Sequence, residues 1–192
     1  YVEDRQDVIH VYDKALAPVE AEVTSLYNAY GEADGNAVCL SDGRVIAEDA
    51  YSAYEDTESG YIKVNGSNGI RLVDAEGNVL VPEGFDSIGV VYDGYVTVEQ
   101  NDLYGLYDLA GGRLAVPCEY DEIERLAFAG DYVYGLGGYA CVEKGGKFGY
   151  VSLETGEATC PINYVDPTII GLSMIVPDIT GELYIIAADG TA

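Results

Sequence analysis

Histidine occurs once in this chain, at His10, and lysine and arginine together number 9 against 34 acidic residues. The first scarcity removes the usual Cys/His zinc sets and most Ser-His and Cys-His catalytic arrangements. The second leaves a formal charge of −25 at neutral pH. Such a charge repels nucleic acid and anionic lipid over a Debye length, so no nucleic-acid partner is expected. The same charge reads as a solvated face that keeps a strand-rich chain dispersed. Long apolar runs are missing too. The best, Thr168 to Pro177, is interrupted by Gly171 and falls well short of the ~20 residues of a spanning helix, so no transmembrane segment is expected. None of the four cysteines (Cys39, Cys118, Cys141, Cys160) belongs to a C-x-x-C pair. G-x-S-x-G, Walker, H-E-x-x-H and Rossmann patterns are absent as well, and neither a cofactor nor a metal site is expected.

The chain is instead rich in 24 glycines, 18 tyrosines and many Val and Ile, which points to short strands joined by turns and an all-β class. Glycines Gly43, Gly77, Gly112, Gly156 and Gly190 stand 34, 35, 44 and 34 residues apart, which is repeat spacing. Eight positions after each of the first four comes a ring (Tyr51, Phe85, Tyr120, Tyr164), and five positions after three of them comes Pro82, Pro117 or Pro161. The expected fold is one domain over 1–192, a tandem array of about five three-stranded antiparallel β units, open and curved like a solenoid. A five-bladed β-propeller is the alternative, disfavoured because propeller blades usually hold four strands. Residues 1–35 read as a degenerate first repeat or cap, and 36–192 hold the repeats with turn glycines at 43, 77, 112, 156 and 190.

Within a unit, Asp42-Gly43 carries the signal of a tight hairpin turn, since both positions tolerate positive φ. The third strand begins at Gly60, Gly94 and Gly138, and more weakly at Gly171. It places Ile62/Val64, Val96/Val98 and Ala140/Val142 on one face, expected to be core, with Tyr61/Lys63, Tyr95/Thr97/Glu99 and Tyr139/Cys141/Glu143 on the other. The prolines belong at an edge or bend, because proline has no N–H for a neighbouring strand. The four repeated rings are expected to be mostly buried. Cys160 stands where Val81 and Val116 stand in other repeats and reads as a small core hydrophobe, with a Cys118–Cys160 disulfide as the sharper alternative.

One interval is longer. The third strand starts 26 positions after Gly112 rather than 17, and the nine surplus residues lie within Ala127 to Gly137, AFAGDYVYGLG. Insertions in repeat proteins usually map to loops on one face, often the binding face. Phe128, Tyr132 and Tyr134 are therefore the candidate binding residues, with tyrosine supplying rigid area and a polar tip. The competing reading is a longer hairpin whose tyrosines cover neighbouring strands.

Phe148-Gly149-Tyr150-Val151 and Tyr104-Gly105-Leu106-Tyr107 each precede a turn glycine and are followed by Cys-Pro or Val-Pro and an aromatic residue. In these features the chain, from about Asn36 onward, resembles the bacterial WG repeat family. KFGYVSLETGEATCP looks like that family's Lys-Trp-Gly strand, Gly turn and Ile-Pro strand. Tryptophan is absent throughout, and Phe148 and Tyr104 stand in its place. The resemblance implies an all-β repeat module, commonly found in exported or multidomain bacterial proteins, with no shared catalytic residues.

The expected function is a noncatalytic protein or glycan interaction or scaffold module of an exported bacterial protein, extracellular or at the cell surface. A start at Tyr1 fits a mature form whose export signal has been removed. The alternative is a glycan-active enzyme using paired carboxylates, since 34 acids in a β fold can place two across a groove. Acidic clusters at Glu32 to Asn36 and Glu55 to Glu58 lack the ligand spacing of an EF-hand and read as solvated turns. No feature of the pattern specifies an oligomeric state.

Overall fold

The structure, a computed structural model, describes residues 2–3, 9–10, 25–27, 29–56, 59–128, 131–165, 167–177 and 181–191, with side chains from residue 29 onward except those of 128 and 131. Most of the expected cap at 1–35 lies outside the described residues. Strands β1 (Val2–Glu3) and β2 (Ile9–His10) pair antiparallel. A four-stranded sheet follows from β3 (Ser25–Tyr27), β4 (Tyr30–Ala33), β5 (Asn36–Cys39) and β6 (Val45–Ala47). The next is built from β7 (Ala50–Glu55), β8 (Ile62–Gly66), β9 (Gly69–Val73) and β10 (Val79–Phe85). A third holds β11 (Ser87–Tyr92), β12 (Tyr95–Gln100), β13 (Leu103–Asp108) and β14 (Arg113–Tyr120). Then β15 (Glu122–Ile123) leads into a separate hairpin, β16 (Leu126–Phe128) and β17 (Asp131–Val133), before the chain returns as β18 (Tyr139–Lys144) to pair with β15 and with β19 (Lys147–Ser152). The last sheet orders β20 (Thr168–Ile170), β21 (Ser173–Pro177) and β22 (Leu183–Ala187) side by side.

The fold is thus an all-β tandem array of small antiparallel sheets, none closed on itself. Within that class the unit is a strand larger than expected in three sheets, because the segment after each ring joins the sheet. Ser87–Tyr92 is half-buried along most of its length, so its sequence alternates too weakly to announce a strand.

Two compact units divide the chain, Tyr1–Ile88 and Gly89–Ala192. In the first, Ala37 and Ile46 pack against Ala53, Ile62 and Val64, so the core lies between one sheet and the next. The second unit holds two such cores. Leu106, Val116 and Tyr120 meet Ala140, Val142 and Val151 in one, and Cys141, Tyr150 and Cys160 meet Met174, Val176 and Ile186 in the other. Burial between successive sheets is the mark of a repeat architecture, in which no unit covers its own apolar face.

The third-strand core residues Ile62, Val64, Val96, Val98, Ala140 and Val142 are buried as expected. Their opposite face is less open than the alternation implied, since Lys63 and Cys141 are buried as well. A sheet inside a stack is covered on both faces, and Lys63 meets this by placing its Nζ 3.8 Å from the buried Asp56 carboxylate. The repeated rings also divide. Tyr120 is buried opposite Tyr104, while Phe85 opposite Ile70 and Tyr164 opposite Phe148 are half-buried. Tyr51 is 60% exposed, against expectation, because a register shift between Ala50 and Ser52 leaves it outside the ladder.

Pro82 and Pro117 lie on the edge strands β10 and β14, within stretches where the register shifts, and Pro161 lies outside the strands. The Asp42-Gly43 turn is wider than expected. Residues 40–44 connect β5 to β6, and among them only Gly43 has a positive φ. True two-residue turns with both φ values positive occur at Asp34-Gly35, Asp93-Gly94 and Asn101-Asp102.

All four cysteines are free, so the Cys118–Cys160 disulfide is not formed. Cys160 is a core residue whose sulfur accepts the Tyr150 N–H at 3.2 Å. One further contact recurs with the period. A Cβ on turn glycine Gly77 would meet the carbonyl oxygen of Ile46 at 2.6 Å, one on Gly156 would meet that of Ala115 at 3.1 Å, and one on Gly190 would meet that of Thr159. Each partner stands three positions after the preceding turn glycine, Gly43, Gly112 or Gly156. Positive φ and a neighbouring backbone together require glycine there.

Candidate binding surface

The third and fourth repeats differ in how the first strand reaches the second. In the third, Asp93-Gly94 joins β11 to β12 directly. In the fourth, the chain leaves β15, makes the β16–β17 hairpin, and only then enters β18. The surplus residues are therefore this hairpin, paired Leu126 to Val133, Ala127 to Tyr132 and Phe128 to Asp131. Leu126 and Val133 point into the core with Met174, which anchors the hairpin by its apolar side.

The three candidate rings separate on this frame. Tyr132 is 53% exposed, and the guanidinium of Arg125 lies 5.5 Å from its ring centroid. Tyr134, expected at the surface, is a core residue only 8% exposed, set edge-on against Tyr92 with centroids 5.5 Å apart. The alternation of Tyr132, Val133 and Tyr134 is broken where the hairpin ends, so Tyr134 turns in beside Leu153 and Ile123. Gly135 follows because a Cβ there would meet Leu153 at 2.6 Å. The backbone of Phe128 lies in β16, and its side chain is outside the described residues.

Next to the hairpin the register of β15 on β18 brings Glu122 directly opposite Glu143. With Glu124, whose N–H donates to the Cys141 carbonyl at 2.9 Å, they place one carboxylate oxygen each within 4.8 Å of the others. Burial, then the charges of Glu122 and Glu143, push the Glu124 carboxyl above its usual range. Three oxygen donors at this separation suit a hard cation, and a raised carboxyl suits proton donation. Sequence reasoning missed this group and Arg125. The acids of Glu122-Ile123-Glu124 were visible as a short alternation, but only the strand register identifies Glu143 as the facing residue.

The rim of the surface is also charged. Lys144 Nζ sits 5.4 Å from the Tyr120 ring and 3.7 Å from Glu119, and the Gly145 N–H donates to Asp121. Burial pushes the Tyr120 hydroxyl up to about 12 and the Cys141 thiol up to about 12, and it raises Cys118 and Cys160. Those three sulfurs stay protonated at neutral pH, the inert form of a structural cysteine.

Stacked antiparallel sheets with a period near 34 define a β-repeat protein, and the comparison with protein families agrees. Residues 71–104 and 104–148 match the family described as WG containing repeat, and this part of the chain belongs to it. No curated protein matches the chain. Among solved structures, the computationally designed Ika8 protein is similar at 13% identity and TM-score 0.38, over 89% of this chain and 61% of its own. The designed Ika4 protein is similar at 12% and 0.34, over 66% and 84% respectively. A eukaryotic initiation factor is similar at 10% and 0.39, over 90% and 55%. The chain thus spans about three fifths of the length of the first of these.

Proposed function

We propose that the chain is a noncatalytic interaction or scaffold module that contacts a protein or glycan partner through the surface around Tyr132 and Arg125. What supports this is the position of Tyr132: exposed, under a guanidinium, on a hairpin that the other repeats do without. An exposed tyrosine beside an arginine combines apolar area, a polar tip and a cation, the pairing enriched at the centres of interfaces. The hairpin also feeds Leu126 and Val133 into the core, so its deletion would test folding rather than binding. The double variant Tyr132→Ala, Arg125→Ala is the sharper probe. It should leave the melting temperature within about a degree or two, since both side chains are at the surface, while capture on a glycan array and from a lysate drops. Undiminished capture would remove this surface from the proposal.

An exported or cell-surface location in a bacterium belongs to the same proposal, supported by the resemblance to WG repeats, and fractionation of cells carrying the native gene tests it. Glycan hydrolysis by paired carboxylates is the second reading. One observation favours it, the grouping of Glu122, Glu124 and Glu143 with Glu124 raised as a general acid requires. Chromogenic glycosides assayed with the native protein and with Glu124→Gln separate the two readings: turnover lost in the variant favours the enzyme.

A further inference from the structure

The last sheet breaks the pattern of exposure set by the others. In every repeat the strand leading to the turn glycine has a residue whose counterparts are Leu72 on β9, Leu106 on β13, Tyr150 on β19 and Ile185 on β22. The first three are 0% exposed, whereas Ile185 is 61% exposed. Leu183, two positions earlier, is 67% exposed, and its counterparts Ile70, Tyr104 and Phe148 are buried or half-buried. The cause is visible in the registers. Val81 on β10 lies against Leu72, and Val116 on β14 lies against Leu106. In the fourth repeat, Ala158 and Tyr164 bridge to Val151 and Phe148. Among the described residues, no strand does this for β22.

The turn that introduces the covering strand is nevertheless complete. The Gly77 N–H donates to the Asp74 carbonyl at 3.0 Å and the Asp74 N–H to the Asn78 carbonyl at 3.0 Å. The Gly190 N–H donates likewise to Ala187 at 2.9 Å and the Ala187 N–H to Thr191 at 2.8 Å. Gly190 also lies against the Thr159 backbone as Gly77 lies against Ile46. The β22 edge thus has the framing of a strand-accepting site. It pairs with β21 without a register shift from Leu183 to Ala187, and Leu183, Tyr184 and Ile185 carry no charge to blunt it. Beside it lies an apolar recess of about 380 Å³ lined by Tyr164, Val176, Tyr184 and Ile186.

We propose that the β22 edge binds an extended segment of a partner polypeptide by strand addition, in the antiparallel register that β14 takes on β13. The occupant's chemistry follows from the strands that already fill this place. Val81-Pro82 with Phe85, Val116-Pro117 with Tyr120 and Cys160-Pro161 with Tyr164 share a small apolar residue, a proline, two free positions and an aromatic ring. The apolar residue covers Ile185, the ring comes to rest opposite Leu183, and main-chain hydrogen bonds supply much of the affinity. A second copy of this chain is the poorer occupant, because two chains of charge −25 repel one another. This edge is separate from the Tyr132 surface, so either reading can fail without the other.

The test uses a synthetic peptide with the sequence of residues 111–120, carrying Cys118→Ser, added to the full chain and followed by amide NMR. Saturable shifts confined to the last sheet, with amides of Leu183–Ala187 exchanging about tenfold more slowly, are expected. A peptide carrying Val116→Asp and Tyr120→Asp should have no effect. Because Ile185 is already exposed, Ile185→Lys should leave the fold intact and abolish the response. Shifts elsewhere, no shift at millimolar peptide, or an unaltered response in Ile185→Lys would each overturn the proposal. So would concentration-dependent protection of β22 without peptide, since a second copy would then be the occupant.

Discussion

Strand β8 and the β9–β10 pair use charge where the later repeats use size. Lys63, Thr97 and Cys141 occupy the same place in successive repeats, and so do Arg71, Gly105 and Gly149. In the first unit, Lys63 pairs with Asp56 at 3.8 Å, and Arg71 reaches across the bulge to Glu83 and to the Glu48 carbonyl. In the second unit, Cys141 is simply packed, and Gly105 and Gly149 leave no side chain at all. A Cβ on Gly105 would meet the Val116 carbonyl oxygen at 2.6 Å, and one on Gly149 the Ile162 Cα at 2.9 Å. The repeat therefore demands a backbone path at these positions rather than a chemistry. Where the bulged strand stands off, an ion pair fills the space. Where it closes in, only hydrogen fits.

The largest expected effect tests the buried pair. Lys63→Ala strands the Asp56 carboxylate in the core and should cost about 3–5 kcal/mol, read as a drop in the denaturation midpoint. Lys63→Met combined with Asp56→Leu, which copies the apolar solution of β18, should recover most of that loss; no recovery would mean the pair is needed as a pair. Next, Gly149→Ala should cost up to about 3 kcal/mol, because Ile162 must move with its backbone. Arg71→Ala, at the place of Gly149, creates no clash and should cost about 1.5 kcal/mol through the lost bonds to Glu83 and Glu48, both partly open to water. Equal losses in the two variants would break the comparison.

A smaller effect concerns pH. The folded-state pKa of Glu124 is raised, so its contribution favours folding at pH values below its unfolded pKa and is lost as pH rises through the folded one. The native protein should therefore melt higher in weak acid than at neutral pH, and Glu124→Gln should flatten that part of the profile and raise the neutral-pH midpoint. The opposite sign holds for Asp42, Asp74 and Asp189, whose pKa values are lowered first of all by backbone or side-chain hydrogen bonds within their turns. Their contribution is present above the unfolded pKa and disappears as they protonate, so the gain in weak acid should reverse at lower pH. A midpoint that falls steadily from neutral pH downward would contradict this assignment. The smallest change is expected for Tyr132→Ala, within about 0.5 kcal/mol in stability, in contrast to Tyr134→Ala, which removes a packed ring and should cost several times more.

Much of the fold was legible because it repeats. Gly77, Pro82 and Phe85 recur as Gly112, Pro117 and Tyr120, and such spacing needs no knowledge of which strands touch. The core faces of β8, β12 and β18 were readable for the same reason, as a period of two within a few residues. The fate of Tyr51 was not. It has the spacing of Tyr120, yet a shift in register between Ala50 and Ser52 puts it in solvent. The candidate site shows the same division. The surplus within Ala127 to Gly137 was found by counting, whereas the burial of Tyr134 depends on where the hairpin ends.

By itself the sequence determined that this chain folds as tandem β repeats, where each turn lies, and which repeat carries the extra segment, because glycine, proline and alternation act over a few neighbouring residues. Only the tertiary structure decided that Glu143 faces Glu122, that Lys63 is buried with Asp56, and that Ile185 stands open where Leu72 and Leu106 are covered. Those facts depend on register between strands and on stacking between sheets. A bulge of one residue changes them while leaving the local pattern of the chain untouched.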